Sequence, residues 1–219
     1  MTDVRENCRR VFDRISSAAA RTRRDPASIR LIAVTKTVST DRIRVAVESG
    51  ITELGENRLQ DAVDKRNALR DFTVVWHFIG HLQTNKARKV TENFDWIHSV
   101  DRIDLAQKLN QYAVPKYPIL VEVELGNEET KSGVSEDNLH PLVEALRKCA
   151  NLDIRGFMAI PPYFDDAEKT RPFFARLRAI SERFGLPELS MGMSHDFEVA
   201  IEEGATMIRV GTALFGERV

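Results

Sequence analysis

"YPILVEVEL" (117–125), "SEDNLHPLVEALRKCA" (135–150) and "DIRGFMAI" (153–160) follow one another in this 219-residue chain, and together they decide its fold class. The first is β-branched and alternating, so it reads as a strand. The second opens on Ser135, a helix-capping residue, and runs as a helix. Pro141 then falls in the first turns, where proline is better tolerated than in a helix interior. The third reads as a strand that stops at Pro161–Pro162. A strand, a helix and a strand in this order imply a parallel sheet.

The alternation continues on both sides. Upstream, strands are expected at 30–34, 53–57, 74–80 and 95–100. Helices are expected between them at 41–49, 58–69, 85–93 and 102–113. Downstream come a helix at 166–184 closed by Gly185, a strand at 188–193, a helix at 195–204 and a last segment at 207–216. One further helix, about 3–22, precedes the series, with Val4, Cys8, Val11, Phe12, Ile15 and Ala19 at spacings of three and four. Eight β–α units fit a closed (β/α)8 barrel better than an open sheet. The absence of GxGxxG after the first strand argues against a dinucleotide fold. The expectation is α/β: a single (β/α)8 TIM barrel domain over 1–219, with residues 1–25 as an extra N-terminal helix packed on the barrel.

A net charge of −1 gives no reason to expect a nucleic-acid or membrane surface. The basic cluster "RTRRD" (21–25) reads as a solvated helix end. Cys8 and Cys149 lie far apart with no CxxC spacing, so neither a disulfide framework nor a zinc site is expected. The charged N-terminus lacks the apolar region of a signal peptide, and no apolar run is long enough to span a bilayer. A cytoplasmic location follows as an expectation.

In such barrels the site lies at the C-terminal ends of the strands. The residues falling there are Lys36, then Glu56 and Asn57, then Gly80, His81 and Gln83, then Ser99. "GNEETKSG" (126–133), "MAIPP" (158–162), "MGMS" (191–194) and "RVGT" (209–212) complete the ring. The loops after the seventh and eighth strands often form a phosphate site. Gly192 and Ser194 lie in one, Gly211 and Thr212 in the other, and such a site needs close backbone approach and hydroxyl donors. Taken singly, Ser194 is a helix N-cap and Gly211 a turn residue; taken together they suggest a cradle. Lys36, at the mouth of the apolar run "LIAV" (31–34), is a candidate nucleophile for an aldehyde. A bland alternative pairs it with Glu56. A lysine opposite a phosphate cradle fits pyridoxal 5′-phosphate held as an imine, or equally a sugar-phosphate aldol substrate. Arg209, two residues before Gly211, should share its face. It could face a cofactor's pyridine nitrogen, or simply pair with Glu122 or Glu124. The five histidines show no metal-ligand spacing.

The stretches "LIAVTKT" (31–37), "ELGENRLQDAVDK" (53–65), "WHFIGHLQTNKARKV" (76–90), "IHSVDR" (97–102), "ETKSGV" (129–134), "RGFMAIPP" (155–162), "LSMGMSHDFEVAI" (189–201) and "IRVGTALFGER" (208–218) resemble the YggS/PROSC family, the pyridoxal phosphate homeostasis proteins, over nearly the whole chain. The resemblance implies a monomeric, fold-type III barrel of the alanine racemase N-terminal kind that binds pyridoxal 5′-phosphate. It implies that Lys36 forms the imine, Arg209 lies near the pyridine nitrogen and Asn57 near the ring. It places Ser194, Gly211 and Thr212 on the phosphate, with the Met193 backbone beside them. It implies a homeostasis role without established turnover and transient contact with apo-enzymes as cofactor recipients. True racemases carry a second, β-rich domain with a catalytic tyrosine, and none of Tyr112, Tyr117 and Tyr163 has a clear claim to that role. A small racemase or other imine-forming enzyme is the alternative expectation.

Overall fold

The structure is a computed structural model that describes residues 3–126 and 132–217. Helix α1 (Val4–Arg21) comes first, capped by Asp3, whose carboxylate accepts the Arg5 N–H at 2.9 Å. The alternation then runs β1 (Arg30–Val34), α2 (Thr40–Glu48), β2 (Glu53–Glu56), α3 (Leu59–Ala68), β3 (Val75–Phe78), α4 (Ala87–Asn93), β4 (Trp96–Val100) and α5 (Ile103–Tyr112). It continues with β5 (Tyr117–Glu122), α6 (Glu136–Arg147), β6 (Leu152–Met158), α7 (Arg171–Phe184), β7 (Glu188–Ser190), α8 (Phe197–Glu202), β8 (Met207–Val210) and α9 (Thr212–Phe215). The eight strands are parallel and close into a barrel, with Ile32 of β1 opposite Arg209 of β8.

Strand alternation sorts the side chains into two cores. Leu31 and Ala33, Ile119 and Val121, Phe157 and Ala159, and Ile208 and Val210 pack outward under the helices. Their neighbours Ile32, Leu120, Met158 and Met207 form a separate small cluster, which is the apolar filling of the barrel lumen. Helix α1 lies against α2, α8 and α9. The "RTRRD" cluster serves this packing: Arg24 donates to the carbonyls of Ile201 and Ala205, both at 2.8 Å, and Arg21 pairs with Glu202. Both cysteines are free and buried. No helix among the described residues is long and apolar enough to cross a membrane.

The structure corrects several local expectations. Pro141 lies inside α6, past its first turn, on an exposed part of the helix, and Asp137, whose carbonyl bond it removes, is exposed as well. Ser135 holds the N-cap position but makes no capping bond. Its hydroxyl accepts from Asn138 instead. The expected strand 117–125 stops at Glu122, and Val123 makes only an isolated bridge to Val134. The last segment divides as expected into a strand and a helical end, β8 and α9, with the turn at Gly211. Of "GNEETKSG", residues 127–131 lie outside the described residues.

Helix α7 seals the sheet with Phe174, Leu177 and Ile180 and ends at Gly185, whose φ of 66° suits a left-handed cap. Phe174 is fully buried. Phe174→Ala is expected to cost about 3–5 kcal/mol, measured as a lowered urea midpoint with an unchanged denaturant slope.

Candidate functional site

The C-terminal end of β1 is built around one buried carboxylate. Glu56 Oε1 accepts from Thr35 Oγ1 at 2.6 Å and from Lys65 Nζ at 2.6 Å. Lys65 Nζ also donates to the Thr35 carbonyl at 2.6 Å. Lys65, on α3, therefore takes the partner that the bland alternative gave to Lys36. The half-buried Lys36 follows this knot, and its amine has no hydrogen-bond or ion-pair partner among the described residues. The next residue, Thr37, has φ of 62°, a costly conformation for a β-branched residue. The chain thus turns sharply as it leaves the lysine.

Lys36 lines a cavity of about 290 Å³, near the lower end of the roughly 300–1,000 Å³ usual for small-molecule sites. Gly211 and Thr212 line the same cavity, with Ser39 and Arg42 at the start of α2. Ser194 lies behind them, and its hydroxyl oxygen accepts the N–H groups of Gly211 and Ala213, each at 3.2 Å. Ser194 is therefore a cap, but of α9; α8 begins only at Phe197. The Thr212 N–H, between the two amides that Ser194 satisfies, has no acceptor among the described residues. A Cβ at Gly211 would meet only Val34, at 3.4 Å, so the protein's own packing does not demand glycine there. Gly192, by contrast, has φ of 90°, and a Cβ would come within 2.5 Å of the Ala200 methyl. The Met193 N–H is already taken, donating to the Asp196 carboxylate at 2.7 Å.

Arg209 is inside the barrel. It pairs with neither Glu122 nor Glu124 but donates to Ser190 Oγ at 2.6 Å and to the Ala159 carbonyl at 3.0 Å. Burial lowers its pKa to about 10, against the pull of Glu122 and Asp196. Asn57 follows β2 and rests against Gly80, where a Cβ would lie 2.5 Å from the Asn57 carbonyl. Its Oδ1 and Glu56 Oε2 are buried without partners. Lys36, Gly211 and Thr212 thus share one cavity wall, and Ser194 is bonded to it. Arg209 lies two residues deeper on the same strand, and Asn57 lines the neighbouring cavities. A free amine, a free amide, a wall with room at Gly211 and an orphaned amide oxygen together suit a phosphorylated aldehyde with polar ring substituents.

Sequence reasoning missed Lys65, Asp196, Glu122 as an unpaired acid, and a group of lumen residues, Glu53, His77, His98 and Ser190. Strand parity could have found the last four, since each lies an even number of residues from an inward-facing neighbour. Among the described residues no group of three His, Cys, Asp or Glu is placed to hold a metal.

The fold and this site define a (β/α)8 barrel with a lysine at the end of β1 facing the loops after β7 and β8. Residues 8–219 match the family described as "Alanine racemase, N-terminal domain". The pyridoxal phosphate homeostasis protein of Aquifex aeolicus is 44% identical over 97% of each chain. That of Pseudomonas aeruginosa is 43% identical over all of this chain and 97% of its own. The structure of PipY from Synechococcus elongatus with pyridoxal phosphate bound superposes with a TM-score of 0.81 at 39% identity, over 92% of this chain and all of that one. The chain belongs to the family of pyridoxal phosphate homeostasis proteins.

Glu122, at the end of β5, is buried, and its carboxyl makes no hydrogen bond or ion pair among the described residues. It lines a cavity of about 390 Å³ with Asn57, Gly80 and His81. Burial, then Asp101, pushes its carboxyl from 4.5 up to about 7, with Arg209 opposing. Because the native state keeps the proton longer than the unfolded chain, stability is full below about pH 4.5 and is lost as the pH rises to about 7. Glu122→Gln is expected to flatten this slope and to stabilise the protein by up to about 3 kcal/mol above pH 7, read from urea unfolding across that range.

Proposed function

We propose that this protein binds pyridoxal 5′-phosphate through Lys36 and serves vitamin B6 homeostasis rather than turnover. The observation that carries the reading is the unpaired Lys36 amine on a cavity that Gly211 and Thr212 also line. When bound, the cofactor supplies an aldehyde that condenses with a lysine amine to an imine, with loss of water. The chain's own residues do the rest. The knot beneath Lys36 fixes its backbone while leaving its amine free. The Thr212 amide and hydroxyl, with the Ser194 loop behind them, would donate to the phosphate. Arg209 would donate toward the ring nitrogen, with Asn57 beside the ring.

Two things support binding over catalysis. The relatives are named for homeostasis and not for a reaction. A racemase also needs a second base facing the lysine, and the buried Tyr117 instead donates its hydroxyl to the Phe94 carbonyl. The reading extends to one barrel domain acting as a cytoplasmic monomer that passes cofactor to apo-enzymes by transient contact.

An absorbance titration with pyridoxal phosphate tests this. The unaltered protein is expected to give a visible imine band and, after borohydride reduction, a stable adduct at Lys36. Lys36→Ala should show neither, and an adduct at another lysine would overturn the reading. Thr212→Ala is expected to weaken affinity by about 1 kcal/mol, roughly fivefold. Equal affinity for pyridoxal lacking the phosphate would remove the cradle. Holo-protein that racemises an amino acid in a Lys36-dependent way would favour the enzyme alternative.

A further inference from the structure

We propose that Glu53, His77, His98 and Ser190 form a one-way hydrogen-bond column across the barrel lumen that aims the Arg209 guanidinium at the group bound at the mouth. They are positioning residues, and the identity of that group rests on the pyridoxal phosphate reading above.

The column passes through five strands. Glu53 Oε2 on β2 lies 2.8 Å from His77 Nε2 on β3. His77 Nδ1 lies 2.9 Å from His98 Nε2 on β4. His98 Nδ1 lies 2.9 Å from Ser190 Oγ on β7. Ser190 Oγ receives Arg209 Nη1 of β8 at 2.6 Å. His77, His98 and Ser190 are wholly inaccessible to solvent, and Arg209 is 4% exposed. The first contact is close but poorly aligned, since neither Glu53 Oε2 nor His77 Nε2 has a well-directed partner.

The two ends dictate the direction. Arginine can only donate and an ionised carboxylate can only accept. Ser190 Oγ therefore accepts from Arg209, and its own hydrogen goes to His98 Nδ1. His98 must then carry its proton on Nε2 and give it to His77 Nδ1. His77 in turn carries its proton on Nε2, facing Glu53. Every member is used once in each sense only if both imidazoles are neutral and both are Nε2–H. Burial agrees: it holds His98 well below the usual histidine range, helped by His77 and Arg209, and lowers His77 despite Glu53.

Lumen filling alone does not explain the column. Ile32, Leu120, Met158 and Met207 fill the same lumen with apolar atoms at no desolvation cost. Nor would the guanidinium choose this arrangement unaided. Glu122 and Asp196 both attract Arg209, yet it forms an ion pair with neither. Ser190 and the Ala159 carbonyl hold two of its five N–H donors. In the proposed column, the guanidinium held in this way keeps its remaining donors for the group at the mouth.

The test has two arms. In cofactor-free protein, 15N spectra of the imidazoles are expected to show both His77 and His98 as neutral Nε2–H rings at neutral pH. A Nδ1–H tautomer or a charged ring at either position overturns the column. In the second arm the protein is loaded with pyridoxal phosphate labelled at the ring nitrogen. Ser190→Ala and His98→Phe are expected to move that nitrogen's resonance in the same sense, with a roughly fivefold loss of affinity. Met207→Leu, which repacks the lumen beside Ser190 without removing a hydrogen-bonding group, is expected to leave the resonance in place. A resonance unmoved in folded Ser190→Ala, or moved equally by Met207→Leu, overturns the positioning role. If the unaltered protein takes up no pyridoxal phosphate, the functional reading fails and the positioning role fails with it. The tautomer arm, read without cofactor, still decides whether the column exists.

Discussion

The site depends on the buried contact between Glu56 and Lys65. Neither charge is worth burying alone, and removing one partner of such a pair typically costs about 3–5 kcal/mol. The pair is stable here because Lys65 also reaches the Thr35 carbonyl and Thr35 also reaches Glu56. Three elements, β1, β2 and α3, are locked together at the end of the strand that presents Lys36. The same contact settles a competition. Two lysines could have neutralised Glu56, and the one on α3 does so. The other is left with an unpaired amine beside a cavity, which a reactive amine requires and a structural one avoids.

A second constraint holds the part of the cavity wall formed by the loops after β7 and β8. Ser194 spans from the β7 loop to the amides of Gly211 and Ala213, so the loops after β7 and β8 move as one piece. Asp196 ties the β7 loop to itself through the Met193 amide. Behind it, α8 is pinned from two sides, by Arg14 and Arg21 of α1 and by Arg171 and Arg178 of α7. Exposed ion pairs are individually weak, but these converge on Glu198, Glu202 and Glu203 of one short helix. The wall is thus formed before any ligand arrives, which lowers the ordering cost of binding.

The barrel was legible because its evidence is local. Each strand and helix shows its period over a few residues, and eight repeats leave little choice of topology. That Lys36 and Thr212 fall at one end of the barrel was legible for the same reason: each follows a strand. What could not be read needs closure in three dimensions. Lys65 looks like an ordinary residue of a charged helix until α3 is laid against β1. Ser194 looks like the cap of the next helix, but the four-residue α9 after Gly211 leaves no periodic trace and takes the cap instead. His77 and His98, 21 positions apart, become neighbours only when β3 and β4 curve around a common lumen. For Arg209 the bland alternative was an acid partner, because buried arginines usually have one. The polar lumen provided a serine and a carbonyl in place of one.

That substitution bears on the proposed role of binding without turnover. An arginine remains protonated even when burial brings it down to about 10, so it can only donate. Facing a pyridine nitrogen, on the proposed reading, it holds that nitrogen unprotonated and weakens the ring as a sink for electrons. A carboxylate in its place would do the reverse. An ion pair to Glu122 would compromise the arrangement, because it would turn the guanidinium away from the ring and draw its charge toward the acid. The neutral column avoids this: it fixes the guanidinium without adding a negative charge at its end of the lumen, and its only acid, Glu53, lies four links away. The lumen thereby favours a firmly held but electronically quiet cofactor, which suits storage and release better than catalysis at the α-carbon of an amino acid.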